Sequence, residues 1–232
     1  MPIPHARRKP MSNLFQRTPE WYQARIGKLT ASRAAAIILR TKTGKPYAAY
    51  QEMLDEIVTE RVTGQAVAHP TTPAMQWGID HEDEARGLYE IQTSQIVSES
   101  PFVPHPTIPG LGASPDGLVG TEGLVEIKCP TTLVHISRVK VGVVPDCYKP
   151  QMLIQCLCTG RKWVDFVDYD PRLIGDFEPL QLFIVRYTPT EEELRDAEKK
   201  CVEFLELVDK TMAELAKLAE GSSHDLSAEA EA

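Results

Sequence analysis

Around residues 117–128 apolar and polar positions alternate about two glycines: Gly117-Leu-Val, then Gly120-Thr-Glu-Gly123, then Leu124-Val-Glu-Ile-Lys128. That pattern predicts a β-hairpin with strands at 117–119 and 124–128 and a turn centred on Thr121. Helical spacing dominates the chain before it. Thr30 caps a run Ala-Ser-Arg-Ala-Ala-Ala-Ile-Ile-Leu that predicts a first helix. Met53, Leu54, Ile57, Val58 and Arg61 mark a second from about 48 to 62, with Gly64 as its stop. Trp77, His81, Ala85 and Leu88 form the packing stripe of a third, from about 73 into the Tyr89 region. Strands are expected at 96–98, 164–168 and 180–187, with a helix from about 149 to 158, and strands bracketing helices predict an α/β sheet. Thr190 and Glu193 read as a capping box opening a last helix through Leu194, Ala197, Cys201, Leu205, Val208, Met212 and Leu215. Residues 1–18 are polar and basic and are expected to be a mobile arm, 19–220 a single domain, and 221–232 a disordered acidic tail.

Composition sharpens this picture in three respects. The net charge of −8 lies entirely in residues 190–232, which hold thirteen acids and five bases, so the body is neutral. A neutral body argues against tight non-specific binding of bare duplex by one subunit, yet permits a basic channel where Arg and Lys are segregated. No apolar run is long enough for a secretory core or a membrane span, so a soluble, intracellular protein is expected. Five cysteines with no C-x-x-C pair signal neither a disulfide framework nor a zinc or iron-sulfur cage, and Cys156-x-Cys158 reads as a buried helix segment. The histidines lack metal-ligand spacing: His81 is expected to pack, and His5, His69, His105, His135 and His224 to lie on the surface.

The hairpin carries the candidate chemistry. A turn centred on Thr121 sets Asp116 opposite Glu126, and opposed Cβ atoms roughly 5 Å apart suit two carboxylate oxygens each about 2.1 Å from one Mg²⁺. Lys128 shares the face of Glu126, whereas Ile127 points to the core. Glu-x-Lys is common on solvated strands, but here it sits in apolar Leu-Val-Glu-Ile-Lys-Cys-Pro, where a charge is costly unless it binds something. Asp116 alone would equally suit a plain turn aspartate. Glu82, one helical turn after Gly78, has room for a ligand, although a solvated position among Asp80, Asp83 and Glu84 is the simpler reading. Gln151 and Gln155 lie one turn apart and could bond DNA, order a water, or merely pair on the surface.

In order along the chain stand Trp21-Tyr-Gln-Ala-Arg25-Ile-Gly-Lys-Leu-Thr30-Ala-Ser32, Trp77-Gly-Ile-Asp-His-Glu82, Ser114-Pro-Asp116-Gly, Glu126-Ile-Lys128-Cys-Pro, the Gln151/Gln155 helix and Tyr169-Asp-Pro-Arg172. This series resembles the family of phage lambda exonuclease and the YqaJ-like viral recombinases over about residues 19 to 187. The resemblance implies a restriction-endonuclease-like α/β fold, a mixed central sheet flanked by helices that carries an Asp…Glu-x-Lys site of the PD-(D/E)XK type. It implies that Asp116, Glu126 and the Ile127 carbonyl hold Mg²⁺, with Mn²⁺ able to substitute, and that Glu82 helps position a second metal or its water. Lys128 would orient and activate the attacking water. Arg25, Ser32 and Ser114 match positions that grip a 5′-phosphate, and Met75 the place of an apolar wedge that parts the terminal base pairs. Gln151 aligns with a family glutamine, Gln155 is displaced from the second, and the acidic tail has no counterpart.

The function so implied is a Mg²⁺-dependent 5′→3′ exonuclease on double-stranded DNA that leaves a 3′ single strand for phage-type recombination. With it come a ring-shaped homotrimer on the DNA end, a separately encoded single-strand annealing protein as partner, no membrane association, and a bacterial cytoplasm as location. The alternatives are a restriction-like or RecB-type endonuclease without a ring, and a non-catalytic DNA-end-binding module. The complete Asp116, Glu126 and Lys128 set weighs against the last.

Overall fold

The computed structural model describes the backbone of residues 15–229 and the side chains of residues 15–221. In chain order the elements are α1 (Pro19–Arg25), β1 (Leu29–Thr30), a 3-10 turn (Ala31–Arg33), α2 (Ala34–Ile38), α3 (Ala49–Thr63), α4 (Pro73–Thr93), β2 (Val97–Ser98), β3 (Val103–Pro104), β4 (Leu111–Ala113), β5 (Gly117–Val119) and β6 (Gly123–Lys128). There follow α5 (Thr132–Val141), α6 (Lys149–Thr159), β7 (Trp163–Tyr169), a 3-10 turn (Gly175–Leu180), β8 (Leu182–Tyr187) and α7 (Glu191–Glu229). Two helices start alike: the Thr18 hydroxyl accepts from the Trp21 N–H with Pro19 next to it, and the Thr72 hydroxyl from the Met75 N–H before Pro73. Gly64, Gly142 and Gly160 close α3, α5 and α6 in left-handed conformation, a position that disfavours any side chain.

Five strands form the main sheet in the order β2-β5-β6-β7-β8, with only the β6/β7 pair parallel. A smaller sheet, β1-β4-β3, stands beside it. The two-residue period of β6 and β7 sorts their side chains onto two faces. Val125, Ile127, Val167 and Tyr169 pack with Ala85 and Tyr89 of α4, while Leu124, Val164 and Phe166 pack with Met152 and Cys156 of α6. Glu126 and Lys128 belong to the second face and so look toward α6. A third cluster joins α2, α3 and α7 through Ile37, Ile57, Phe204 and Val208. This is the mixed α/β architecture expected, sheets flanked by helices.

Some expected elements shift. The helix after Thr30 is a 3-10 turn followed by five residues of α2, because Leu29 and Thr30 pair in parallel with Leu111 and Gly112 and fix the entry. The strand expected from 180 begins at Leu182, after the turn Gly175–Leu180. Residues 1–14 of the expected arm lie outside the described residues, but its last residues are held: Phe15 bridges Pro101, and Gln16 Nε2 donates to the Pro115 carbonyl at 2.9 Å. From Gly221 to Glu229 the backbone continues α7, since no proline interrupts it, and 230–232 lie outside the described residues. Among the described residues no helix is long and apolar enough to cross a membrane.

Candidate active site

Strands β5 and β6 pair Gly117 with Val125, Leu118 with Leu124 and Val119 with Gly123, so the hairpin turns about Thr121 and its ladder points Asp116 toward Glu126. Gly120 makes the turn with φ 52°. Asp116 is fixed by its Oδ2, which accepts the Ile127 N–H at 2.8 Å. Glu126 is fully buried, and its carboxylate accepts from the Lys128 ammonium and from the side-chain amides of Gln151 and Gln155. Glu82 approaches from α4, where Arg17 at 2.5 Å and Arg86 at 3.0 Å donate to its two oxygens. Asp116, Lys128 and Glu82 line a cleft of about 450 Å³ that also includes Met75, Ile79, Arg138 and Tyr148, while Arg17, Arg86 and Glu82 line a smaller recess beside it.

The electrostatics follow from crowding. Burial, then the Asp116 charge, pushes Glu126 up to about 7 against the pull of Lys128. Glu82 is likewise raised, by burial and then by Asp116, despite its two arginines. Burial opposes the charge on Lys128, but the Glu126 and Asp116 carboxylates outweigh it and keep the ammonium protonated above its ordinary range. Lys128 is thus a donor here.

Carboxylates that raise one another are what a hard cation relieves, and Asp116, Glu126, Glu82 and the Ile127 carbonyl supply the oxygen donors that Mg²⁺ takes. The residues therefore fit a divalent metal in chemistry. As placed, no three His, Cys, Asp or Glu side chains among the described residues converge on one point, since Glu126 and Glu82 are turned to their nitrogen donors.

A second constellation lies next to the cleft. Arg25 donates to the Ser114 and Ser32 hydroxyls, each at 3.3 Å, Trp21 Nε1 donates to Ser114 at 2.8 Å, and the guanidinium stacks 4.1 Å over the Trp21 ring. Burial, then Arg33, lowers the Arg25 pKa to about 10 against the smaller pull of Tyr22 and Glu60. Trp21, Arg25 and Ser32 line a pocket of their own, and Met75, 52% exposed, lines both that pocket and the carboxylate cleft and so stands on the lip between them.

The hairpin thus brings Asp116, Glu126 and Lys128 together, and Arg25, Ser32 and Ser114 meet across residues far apart in the chain. Gln151 and Gln155 do not pair with each other on the surface: both donate to Glu126. Glu82 is not solvated, its side chain being 16% exposed between two arginines. His135, expected on the surface, is completely buried, because α5 turns it onto Asp168 and the Leu180 carbonyl. Arg138 and Tyr148 at the cleft, and Arg17 in the recess beside it, went unmarked in the sequence. For Arg138 the local signal, the apolar period of α5, is blurred by a run of β-branched residues.

With the geometry set out, the chain can be compared with known proteins. Residues 20–162 match the YqaJ-like viral recombinase domain. An alkaline exonuclease from Laribacter hongkongensis is 41% identical, over 88% of this chain and 99% of that one, with a TM-score of 0.81, and its complex with dAMP gives the same values. A phage related exonuclease from Haemophilus somnus 129PT is 15% identical over 81% of this chain and 96% of that one, TM-score 0.60, a likeness of fold. No curated protein matches the chain.

Proposed function

The chain belongs to the YqaJ-like viral recombinase family, and on that premise we propose that it is a Mg²⁺-dependent exonuclease that digests double-stranded DNA from the 5′ end. The observation that carries this reading is the pair of adjoining sites. Buried Glu126 with Asp116 and Lys128 forms a hydrolytic cluster, and Arg25 with Ser32 and Ser114 forms an anion grip one side chain away, across Met75. A cluster alone would cut anywhere; a neighbouring grip on a terminal phosphate gives cleavage a starting end. The related Laribacter enzyme binds dAMP, a mononucleotide of the kind such digestion releases.

Asp116, Glu126 and the Ile127 carbonyl would hold Mg²⁺, with Mn²⁺ as a substitute, and Glu82 would aid a second ion. Bound metal supplies the positive charge that stabilises the anionic phosphorus centre. Gln151 and Gln155 keep the Glu126 carboxylate in one orientation. Lys128, being an ammonium, orients a water or a phosphate oxygen by donating to it. Met75 presents an apolar edge on which the last base pair can part, sending the 5′ strand toward Arg25. The 3′ strand is left single for recombination with an annealing protein in a bacterial cytoplasm. A neutral body holds DNA through many steps best as several copies around it, which is the support for a homotrimer.

Linear duplex labelled at either end of either strand tests the reading. With Mg²⁺, 5′-labelled strands should lose label first as mononucleotides, 3′-labelled strands should shorten progressively, and closed circles should survive. Cut circles would make the protein an endonuclease. Intact linear duplex would make it a binding module.

A further inference from the structure

We propose that Arg138 is a DNA-contacting residue of the cleft, bonding a backbone phosphate next to the scissile one, and that Asp168 and His135 are its positioning residues. The inference deepens the exonuclease reading and rests on it.

Arg138 rises from α5 into the cleft that holds Lys128 and Asp116, and its side chain is 15% exposed. Its guanidinium is locked on three sides. One nitrogen donates to Asp168, another donates to the Tyr148 hydroxyl at 2.9 Å, and the plane lies 5.0 Å from the Tyr148 ring centre. Held in this way, an arginine loses little further freedom on meeting a phosphate.

The charge count then indicates what it meets. Asp168 is fully buried, and its other oxygen lies 2.6 Å from His135 Nδ1, while His135 Nε2 lies 2.8 Å from the Leu180 carbonyl. A carbonyl can only accept, so Nε2 carries a hydrogen. An ionised Asp168, held also by Arg138, accepts as well, so Nδ1 carries the second and the ring is an imidazolium. Burial disfavours that cation, yet the hydrogen bonds to Asp168 and Leu180 outweigh it and raise the His135 pKa. Buried Asp170 also acts on His135 but is itself paired with Arg172 at 2.6 Å, so Asp168 serves two cations and one positive charge is left over. A structural ion pair needs no such surplus, which is costly in a half-dry site unless an anion answers it.

The surplus emerges at Arg138, the member of the trio that reaches the cleft. Lys128 is occupied with Glu126, and Arg17 and Arg86 are answered by two carboxylates, Glu82 and, 3.9 Å from Arg86, Asp83. Arg138 is thus the cleft cation whose carboxylate is already neutralised by another group. Tyr148 links it to the hydrolytic cluster: its hydroxyl accepts from Arg138 and keeps its own proton to donate, and Lys128 Nζ sits 5.4 Å from its ring centre. A phosphodiester strand lying on Lys128 would meet Tyr148 and Arg138 next.

The salt dependence of binding tests this. Each phosphate contact contributes about 0.9 to the slope of log K against log salt on duplex DNA. Binding of the full-length protein to a 5′-phosphorylated duplex, with Ca²⁺ to prevent turnover, should weaken about tenfold in Arg138→Met and lose about 0.9 of slope. Arg138→Lys should keep the slope and lose affinity severalfold, since an ammonium cannot span Asp168, Tyr148 and a phosphate together. Asp168→Asn should keep the slope but lower kcat at saturating DNA, because the contact survives out of place. An unchanged slope in a folded Arg138→Met protein, or a lysine variant equal to wild type, overturns the inference while the exonuclease reading stands. A wild type that neither binds nor digests duplex ends overturns both.

Discussion

Replacing Glu126 by glutamine should stabilise the metal-free protein above neutral pH, although it removes the most firmly held carboxylate of the site. Burial and Asp116 raise Glu126 from 4.5 to about 7, and at about 1.4 kcal/mol per pH unit that makes its charge about 3 kcal/mol more costly in the folded chain than in the unfolded one. A raised carboxyl binds its proton more tightly when folded. Its contribution to stability is therefore present below pH 4.5 and lost as pH rises to about 7. Glutamine has no such loss. The amide should also fit, because the Gln155 oxygen now lacks a partner and half a turn of that amide lets it accept from the new NH₂. Urea unfolding in EDTA from pH 4.5 to 8, compared between wild type and Glu126→Gln, cancels the other titrating groups. The variant should match wild type at the acid end and exceed it by about 3 kcal/mol at pH 8. Mg²⁺ should then raise the melting temperature of wild type only. A variant no more stable than wild type at pH 8 would refute a strained Glu126 charge.

Arg25→Ala should remove most of the preference for 5′-phosphate over 5′-hydroxyl ends, and Arg25→Lys should restore part of it, in initial rates on the two ends. Unequal loss on the two ends is the mark of a phosphate grip. Met75→Ala should slow digestion of fully paired ends more than of frayed ends, because an apolar wedge offsets unstacking of a few kcal/mol, and equal slowing would make Met75 a packing residue. Gly123→Ala should cost about 1–3 kcal/mol in urea unfolding, since its Cβ would lie 2.1 Å from the Trp163 ring, which Arg186 covers from 3.5 Å.

The hairpin, α3, α4 and α6 could be read from the chain because their signals are local: a glycine-bracketed turn, an apolar stripe, a glycine stop. Strands of two or three residues such as β1, β3 and β4 carry no period, and only their partners make them strands. Helix α5 hid for a different reason, its β-branched residues resembling a strand until His135 and Arg138 find Asp168. At the site, the Asp116, Glu126 and Lys128 cluster followed from hairpin arithmetic. The Arg25, Ser32 and Ser114 grouping did not, because it joins three separate segments, and only the family resemblance suggested it. The task of the glutamines was illegible, since nothing local aims α6 at Glu126.

Strand β6 is clamped along both edges, by three pairs to β5 and six to β7, and this sets where the gene can change length. A single codon inserted between those for Gly123 and Glu126 would reverse the alternation, turning Glu126 toward α4 and an apolar neighbour toward α6. Codons added at Thr121 would lengthen the exposed tip, since the ladders on either side and the bond from the Lys162 N–H to the Glu122 carbonyl at 2.8 Å already hold the register. Insertions and deletions that leave activity intact should therefore collect at that tip and spare the six residues behind it, so a library randomised in loop length there would sample new tips without disturbing the chemistry.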